Sequence, residues 1–283
     1  MGTSQCSLTT TEMFRILGKL LRAPRPEPVD VLEGWSTIRL DNRRVDIFEP
    51  DSGRPEGCVL FLHGHGRVFL NENRTFSQLF HDHRLAAICP DGARAWWLDR
   101  RCPEFDQQLT PIQWIRQSVI PLVASRWEIC PPGIALLGVS MGGQGVLQLA
   151  YRFARDFPVV AAISPAIDFH QLYGQDLPLD AMYDNAEEAR QDTVVLNLHP
   201  LSWPRYQYFC CDPADADWFD GCSRLAMKLS SSGIMHERDL ATSAGGHSWC
   251  YFNQMASAAL EYIAKGLQSV ADTREDPLAA TQR

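Results

Sequence analysis

Short apolar runs recur along the middle of the chain, with longer stretches between them. The runs are Val59–Leu62, Ala86–Cys89, Ile134–Val139, Val159–Ile163 and Tyr206–Cys211. They are continuous rather than alternating, which suits strands buried on both faces of a parallel sheet. A further strand is expected over His236–Thr242. Upstream, Ser36–Phe48 reads as two strands around Asp41-Asn42, a hairpin turn. Helical periods fall at about 112–126, 141–156 and 249–270. The second has Val146, Leu147, Leu149, Ala150 and Phe153 on one face, and the third Phe252, Met255, Leu260, Ile263 and Leu267. Strands alternating with helices predict an α/β fold, a mostly parallel sheet with helices on both faces.

The flanks read differently. Residues 10–22 have the pattern of a short basic amphipathic helix, followed by a proline-rich linker over 23–28. Residues 1–35 are therefore expected to be an N-terminal extension, 36–271 the α/β domain and 272–283 a polar, frayed tail. The 166–204 stretch has no clear period and is long for a plain connection, so it is the candidate cap over a site.

The 283 residues carry 26 basic and 34 acidic side chains, a net charge of −8, with no basic stripe. A phosphate-backbone partner calls for the opposite balance, so nucleic acid is not expected. No apolar run approaches the ~20 residues of a membrane span, and no basic n-region precedes an apolar leader, so stable membrane insertion is not expected. The nine cysteines are odd in number and include no C-x-x-C, which reads as free thiols in a reducing, cytoplasmic setting. Oligomeric state is not readable.

Chemistry concentrates in Gly138-Val139-Ser140-Met141-Gly142-Gly143, which follows a strand pattern and opens a helical one. A G-x-S-x-G sequence in that context is the signature of a nucleophile elbow, where serine sits on a strained turn between small neighbours. The helix that starts at Met141 points its free N–H groups and positive dipole end at the site, so the Met141 N–H is one oxyanion donor. The second is expected from Leu62-His63-Gly64-His65-Gly66, at Gly64 or His65. With an elbow, the triad order is serine, acid, histidine. His247 lies in the glycine-rich loop between the last strand and last helix, whereas His236 opens the strand at the wrong end. The acid follows the preceding strand, where Asp212, Asp215 and Asp217 are not separated by spacing.

Together with Pro90-Asp91-Gly92, Trp96-Trp97 and Gly246-His247-Ser248-Trp249, these segments resemble the esterase D-like branch of the α/β-hydrolase superfamily. That branch includes S-formylglutathione hydrolases, mycolyltransferases and bacterial carboxylesterases, and the resemblance covers about residues 57–265. It implies a Ser140–Asp215–His247 triad, because the family's aspartate lies about six residues before a helix-opening glycine, here Gly221. It also implies that Trp96 and Trp97 line the acyl or alcohol side of the substrate pocket, with core packing as the alternative reading of the pair. The expected activity is hydrolysis of a small-molecule carboxylic ester through an acyl-enzyme, with no cofactor. The alternatives are acyl transfer from the same intermediate, or an inactive, partner-binding homologue. The loop His63-Gly-His-Gly66 departs from the H-G-L-T-C of S-formylglutathione hydrolases, so glutathione thioesters are not indicated. A metal site is not expected either. His63-x-His65 is followed by Arg67-Val68 where a metal hydrolase has Asp-His, His81 and His83 fit a solvated helix end, and no H-E-x-x-H occurs.

Overall fold

The computed structural model describes residues 32–275 apart from Ser52, so the 10–22 helix, the 23–28 linker and residues 276–283 lie outside it. Eight strands form one sheet: β1 (Trp35–Leu40), β2 (Arg43–Phe48), β3 (Gly57–Leu62), β4 (Leu85–Pro90), β5 (Ile134–Val139), β6 (Val159–Ile163), β7 (Tyr206–Cys210) and β8 (Glu237–Asp239). Their order is β1-β2-β4-β3-β5-β6-β7-β8. β1 and β2 form the expected hairpin, with Asp41 and Asn42 both at positive φ, and β2 joins β4 antiparallel. From β4 to β8 every neighbour is parallel.

Strand alternation builds two cores. Leu60, Leu62, Leu136 and Val160 face one side, and Val59, Phe61, Leu137 and Ala161 the other. The second side is covered by α1 (Arg74–Asp82) and α6 (Trp249–Glu275). The first is covered by α2 over 111–127, α3 (Met141–Arg152) and α5 (Phe219–Ser231). Helix α2 widens into a π turn at Ile115–Val119, just before Pro121, which has no N–H to keep the regular ladder. No helix among the described residues is long and apolar enough to cross a membrane.

Several boundaries differ from the periodic reading. The last strand is only Glu237–Asp239, because Asp239 accepts from the Ala241 and Thr242 amides and the Thr242 hydroxyl, closing a turn. Helix α3 stops at Arg152 rather than 156; Pro158 disfavours helix at the residue before it, and the Asp156 and Phe157 amides turn back onto Phe153 O. Helix α6 runs on to Glu275, so the tail expected from 272 is helical at its start. Gln268 there donates to Asp272, and the Thr273 hydroxyl to Ser269 O, one turn back. Helix α1 was not among the periodic stretches; Asn73 caps it, accepting from the Phe76 amide.

The 166–204 stretch is a set of short helical turns, with α4 (Ala186–Gln191) the longest. They pack around Phe169, Leu172, Leu179 and Tyr183. An ionic cluster fastens them to the domain: Arg100 pairs with Glu188 (2.7 Å) and Asp192 (3.0 Å), and Arg152 of α3 with Asp192 (2.8 Å).

Candidate active site

Ser140 stands between β5 and α3 at φ 56° and ψ −121°, a conformation that costs a non-glycine residue roughly 1–3 kcal/mol. The surroundings enforce it. The Ser140 amide donates to Ile163 O (3.0 Å), and Ser140 O accepts from the Gln144 and Ala166 amides (both 3.1 Å). Space around the turn excludes side chains. A Cβ on Gly142 would strike the Leu62 carbonyl, and one on Gly138 the Gly142 backbone. The two glycines are therefore required by close backbone approach, since neither has a positive φ.

The Ser140 hydroxyl is 2.9 Å from His247 Nε2, and His247 Nδ1 is 2.7 Å from Asp215 Oδ2. His247 is nearly buried, edge-on to Phe252 with centroids 5.2 Å apart. Asp215 is buried; its other oxygen accepts from the Asp217 and Trp218 amides, both at 3.2 Å. Three residues from distant parts of the chain thus form one hydrogen-bonded line.

The other two aspartates stand elsewhere. Asp212 is fully buried, and its hydrogen bonds go to residues other than His247. Its Oδ1 accepts from the Ala214 amide and the Ser243 hydroxyl, both 2.7 Å, and its Oδ2 from the Ala244 (2.7 Å) and Gly246 (2.8 Å) amides. Burial works against its charge, but these donors outweigh it and hold the carboxyl below the usual range. Asp212 therefore ties the loop that carries Asp215 to the loop that carries His247. Sequence reading saw Asp212 only as a candidate acid and missed this part. The Asp217 amide donates to Asp215.

The glycine loop after β3 lies against the nucleophile, with a Cβ on Gly64 only 3.2 Å from Ser140 Cβ. His63 holds it. The Gly92 amide donates to Nε2 (3.1 Å), which leaves Nδ1 to donate to Gly64 O (2.8 Å). Met141 is the first residue of α3, so its N–H has no carbonyl a turn earlier within the helix. Gly64 and His65 line the same recess as Ser140, and Met141 follows Ser140 in the chain.

A recess opens beside Ser140, lined by Gly64, His65, Gly66, Val68, Val139, Ser140, His247, Trp249 and Phe252. Trp96 and Trp97, expected in its wall, are not part of it. Both are fully buried. The Trp97 ring fills the space over Gly92 and Gly145, and its Nε1 donates to His63 O (3.0 Å). Trp96 packs between His65 and Phe169. Their large apolar rings are thus consumed in holding the loop from behind. The 166–204 stretch contributes no lining residue either; it meets the site through the Ala166 amide on Ser140 O and through Phe169 against Trp96.

A family model described as Putative esterase matches residues 38–263. No curated protein matches the chain. Among solved structures, an S-formylglutathione hydrolase from Agrobacterium tumefaciens is similar at TM-score 0.67 and 15% identity, over 84% of this chain and 98% of that one. The fluorophosphonate-binding serine hydrolase F of Staphylococcus aureus matches at TM-score 0.63 and 14% identity, over 82% and 99%. A ferulic acid esterase matches at 0.66 and 13%, over 82% and 97%. At such identities the solved structures speak for the fold, that of the α/β-hydrolases.

Proposed function

The chain belongs to the Putative esterase family, and from that premise we propose that it cleaves small-molecule carboxylic esters through an acyl-enzyme on Ser140. The observation that carries this reading is the line Ser140 Oγ–His247 Nε2 (2.9 Å) and His247 Nδ1–Asp215 Oδ2 (2.7 Å). His247 takes the hydroxyl proton as Oγ bonds to the ester carbonyl carbon, and the oxygen's charge falls on the N–H groups of Met141 and of Gly64 or His65. The carbon–alkoxide bond then breaks, and the alkoxide leaves with the proton from His247. Water enters and gives a proton to His247 as its oxygen bonds to the acyl carbon; the acyl–Oγ bond then breaks, the proton returns from His247 to Ser140 Oγ, and the acid leaves. Asp215 fixes the imidazole with its Nδ1 proton inward and stabilises the imidazolium.

The assembled line argues against an inactive, partner-binding role, since a strained serine aimed at a buried, oriented imidazole costs stability that binding alone does not require. The test is incubation with a fluorophosphonate and mass-spectrometric mapping. The expected adduct is on Ser140, is lost in Ser140→Ala and His247→Ala, and is accompanied by ester turnover that falls about 10⁴-fold or more in either variant. Ser140→Ala protein with unchanged turnover overturns the reading.

A further inference from the structure

Trp249 is the first residue of α6, two positions after His247. Its indole packs edge-on against Phe76 (centroids 6.3 Å apart, planes at 81°) and Phe252 (5.4 Å, 75°), and the residue is 5% exposed. Those two rings hold the indole in one setting, with its N–H on the half-open recess beside Ser140. The N–H donates to no group of the protein among the described residues.

The other polar side chains on this wall are spoken for. Ser140 and His247 bond to each other, and His247 to Asp215. His65 turns neither ring nitrogen to the recess. The rest of the lining is glycine, Val68, Val139 and Phe252, with no lysine or arginine. An indole N–H donates and never accepts, so what it favours is an acceptor. A carboxylate there would lose its water for one neutral donor and no cation, so the acceptor it suits is uncharged. The open side lets a bound group continue outward, so its length is not what the wall reads.

We propose that Trp249 is a specificity-determining residue, and that its N–H receives an uncharged acceptor oxygen, of the ether or ketone class, on the part of the ester lying in the recess. The proposal rests on the serine-esterase reading above. The acyl and alcohol parts both start at the carbonyl that Ser140 attacks, so either can bring that oxygen. An alkyl group of the same shape displaces water from the N–H and gives nothing back.

Two pairs of esters test this, each pair differing by one oxygen in place of one CH₂. In the acyl arm phenyl methoxyacetate is compared with phenyl butanoate, and in the alcohol arm 2-methoxyethyl acetate with butyl acetate. Acid release is followed in a pH-stat, and each kcat/KM is divided by the ester's rate of hydroxide hydrolysis. The enzymes are the wild type, Trp249→Phe and a protein with 3-benzothienylalanine at position 249, which keeps both rings and replaces N–H by sulfur. Taking the ether-to-alkyl ratio cancels any loss common to both esters of a pair. In at least one arm the ratio is expected to exceed one in the wild type and to fall about fivefold in both altered proteins. The arm that responds says which part of the ester carries the oxygen. Fluorophosphonate labelling of Ser140 checks that the site is formed in each protein. Ratios that stay within about twofold in both arms of the benzothienyl protein overturn the proposal and leave the esterase reading standing. So does a fall in Trp249→Phe alone, which reports lost ring volume rather than the lost donor, and so does labelling of wild-type Ser140 without turnover of any of the four esters. No turnover and no adduct on wild-type Ser140 overturns both.

Discussion

Replacing Asp212 by asparagine keeps the shape of the side chain and changes only its charge and one of its two oxygens. Asp212 receives four donors, two on each oxygen, at 2.7–2.8 Å. If the new NH₂ took the Oδ2 place, it would confront the Ala244 and Gly246 amides, neither of which can turn around. The cheaper choice puts NH₂ at the Oδ1 place. There the Ser243 hydroxyl can rotate to accept, and only the Ala214 amide is left unpaired. An unpaired buried donor costs about 1–3 kcal/mol, and hydrogen bonds to a neutral oxygen are weaker by about 1 kcal/mol each than those to a charged one. Relief from burying a charge offsets part of this. The expected net loss is about 2–4 kcal/mol, which a domain of ordinary stability, about 5–15 kcal/mol, survives.

Catalysis should suffer separately, because the His247 loop loses its tie to the Asp215 loop. A displacement of about 1 Å in a reacting group costs on the order of 100-fold. Urea unfolding followed by tryptophan fluorescence measures the stability change, and steady-state ester hydrolysis the rate. Turnover is expected to fall about 10- to 100-fold with little change in KM. Asp215→Asn gives the contrast, with turnover falling about 10⁴-fold through the wrong histidine tautomer. An Asp212→Asn protein within about 0.5 kcal/mol of wild type and at full turnover would refute the clamp. So would an Asp212→Asn rate as low as that of Asp215→Asn.

Gly142→Ala should destabilise by about 1–3 kcal/mol and abolish fluorophosphonate labelling, since its methyl group drives into the Leu62 carbonyl and displaces the elbow. Trp96→Ala is expected to cost about 3–5 kcal/mol in urea unfolding; a Trp96 in the pocket wall would instead change KM at nearly constant stability. His65 makes the fold acid-sensitive. The folded side chain stays neutral down to about 4, whereas the unfolded one takes up its proton near 6.5, so the unfolded chain binds more protons between these values. Stability from this group falls as pH drops through that window, by about 2 kcal/mol from pH 7 to 5, and the difference between wild type and His65→Phe in urea midpoints across that range measures it. Asp212 acts lower. Its depressed carboxyl contributes fully above the unfolded value near 3.9, and that contribution is lost as pH falls through the folded value, so Asp212→Asn should flatten the most acidic part of the unfolding profile.

The sequence by itself determined the strand–helix alternation, the elbow at Ser140 and the loop position of His247. Each depends on neighbours close along the chain. A run such as Ile134–Val139 is apolar because both faces of its strand are covered, and Gly138 and Gly142 are bare because backbones touch there. The strand limits at Glu237–Asp239 and the helix stop at Arg152 were also written locally, in Asp239 and Pro158, but hydrophobic period alone does not register them. Only the tertiary structure decided what each polar group faces. Asp212 and Asp215 are three residues apart in one turn, with the Asp215 amide donating to Asp212 O; that turn aims Asp215 at His247 and Asp212 at residues 243–246. Trp96 and Trp97 went inward because Gly92, Gly145 and Phe169, from three separate segments, leave space for their rings. An apolar side chain announces that it will be buried. Which distant segment buries it, and whether a site is left beside it, is set by how those segments pack.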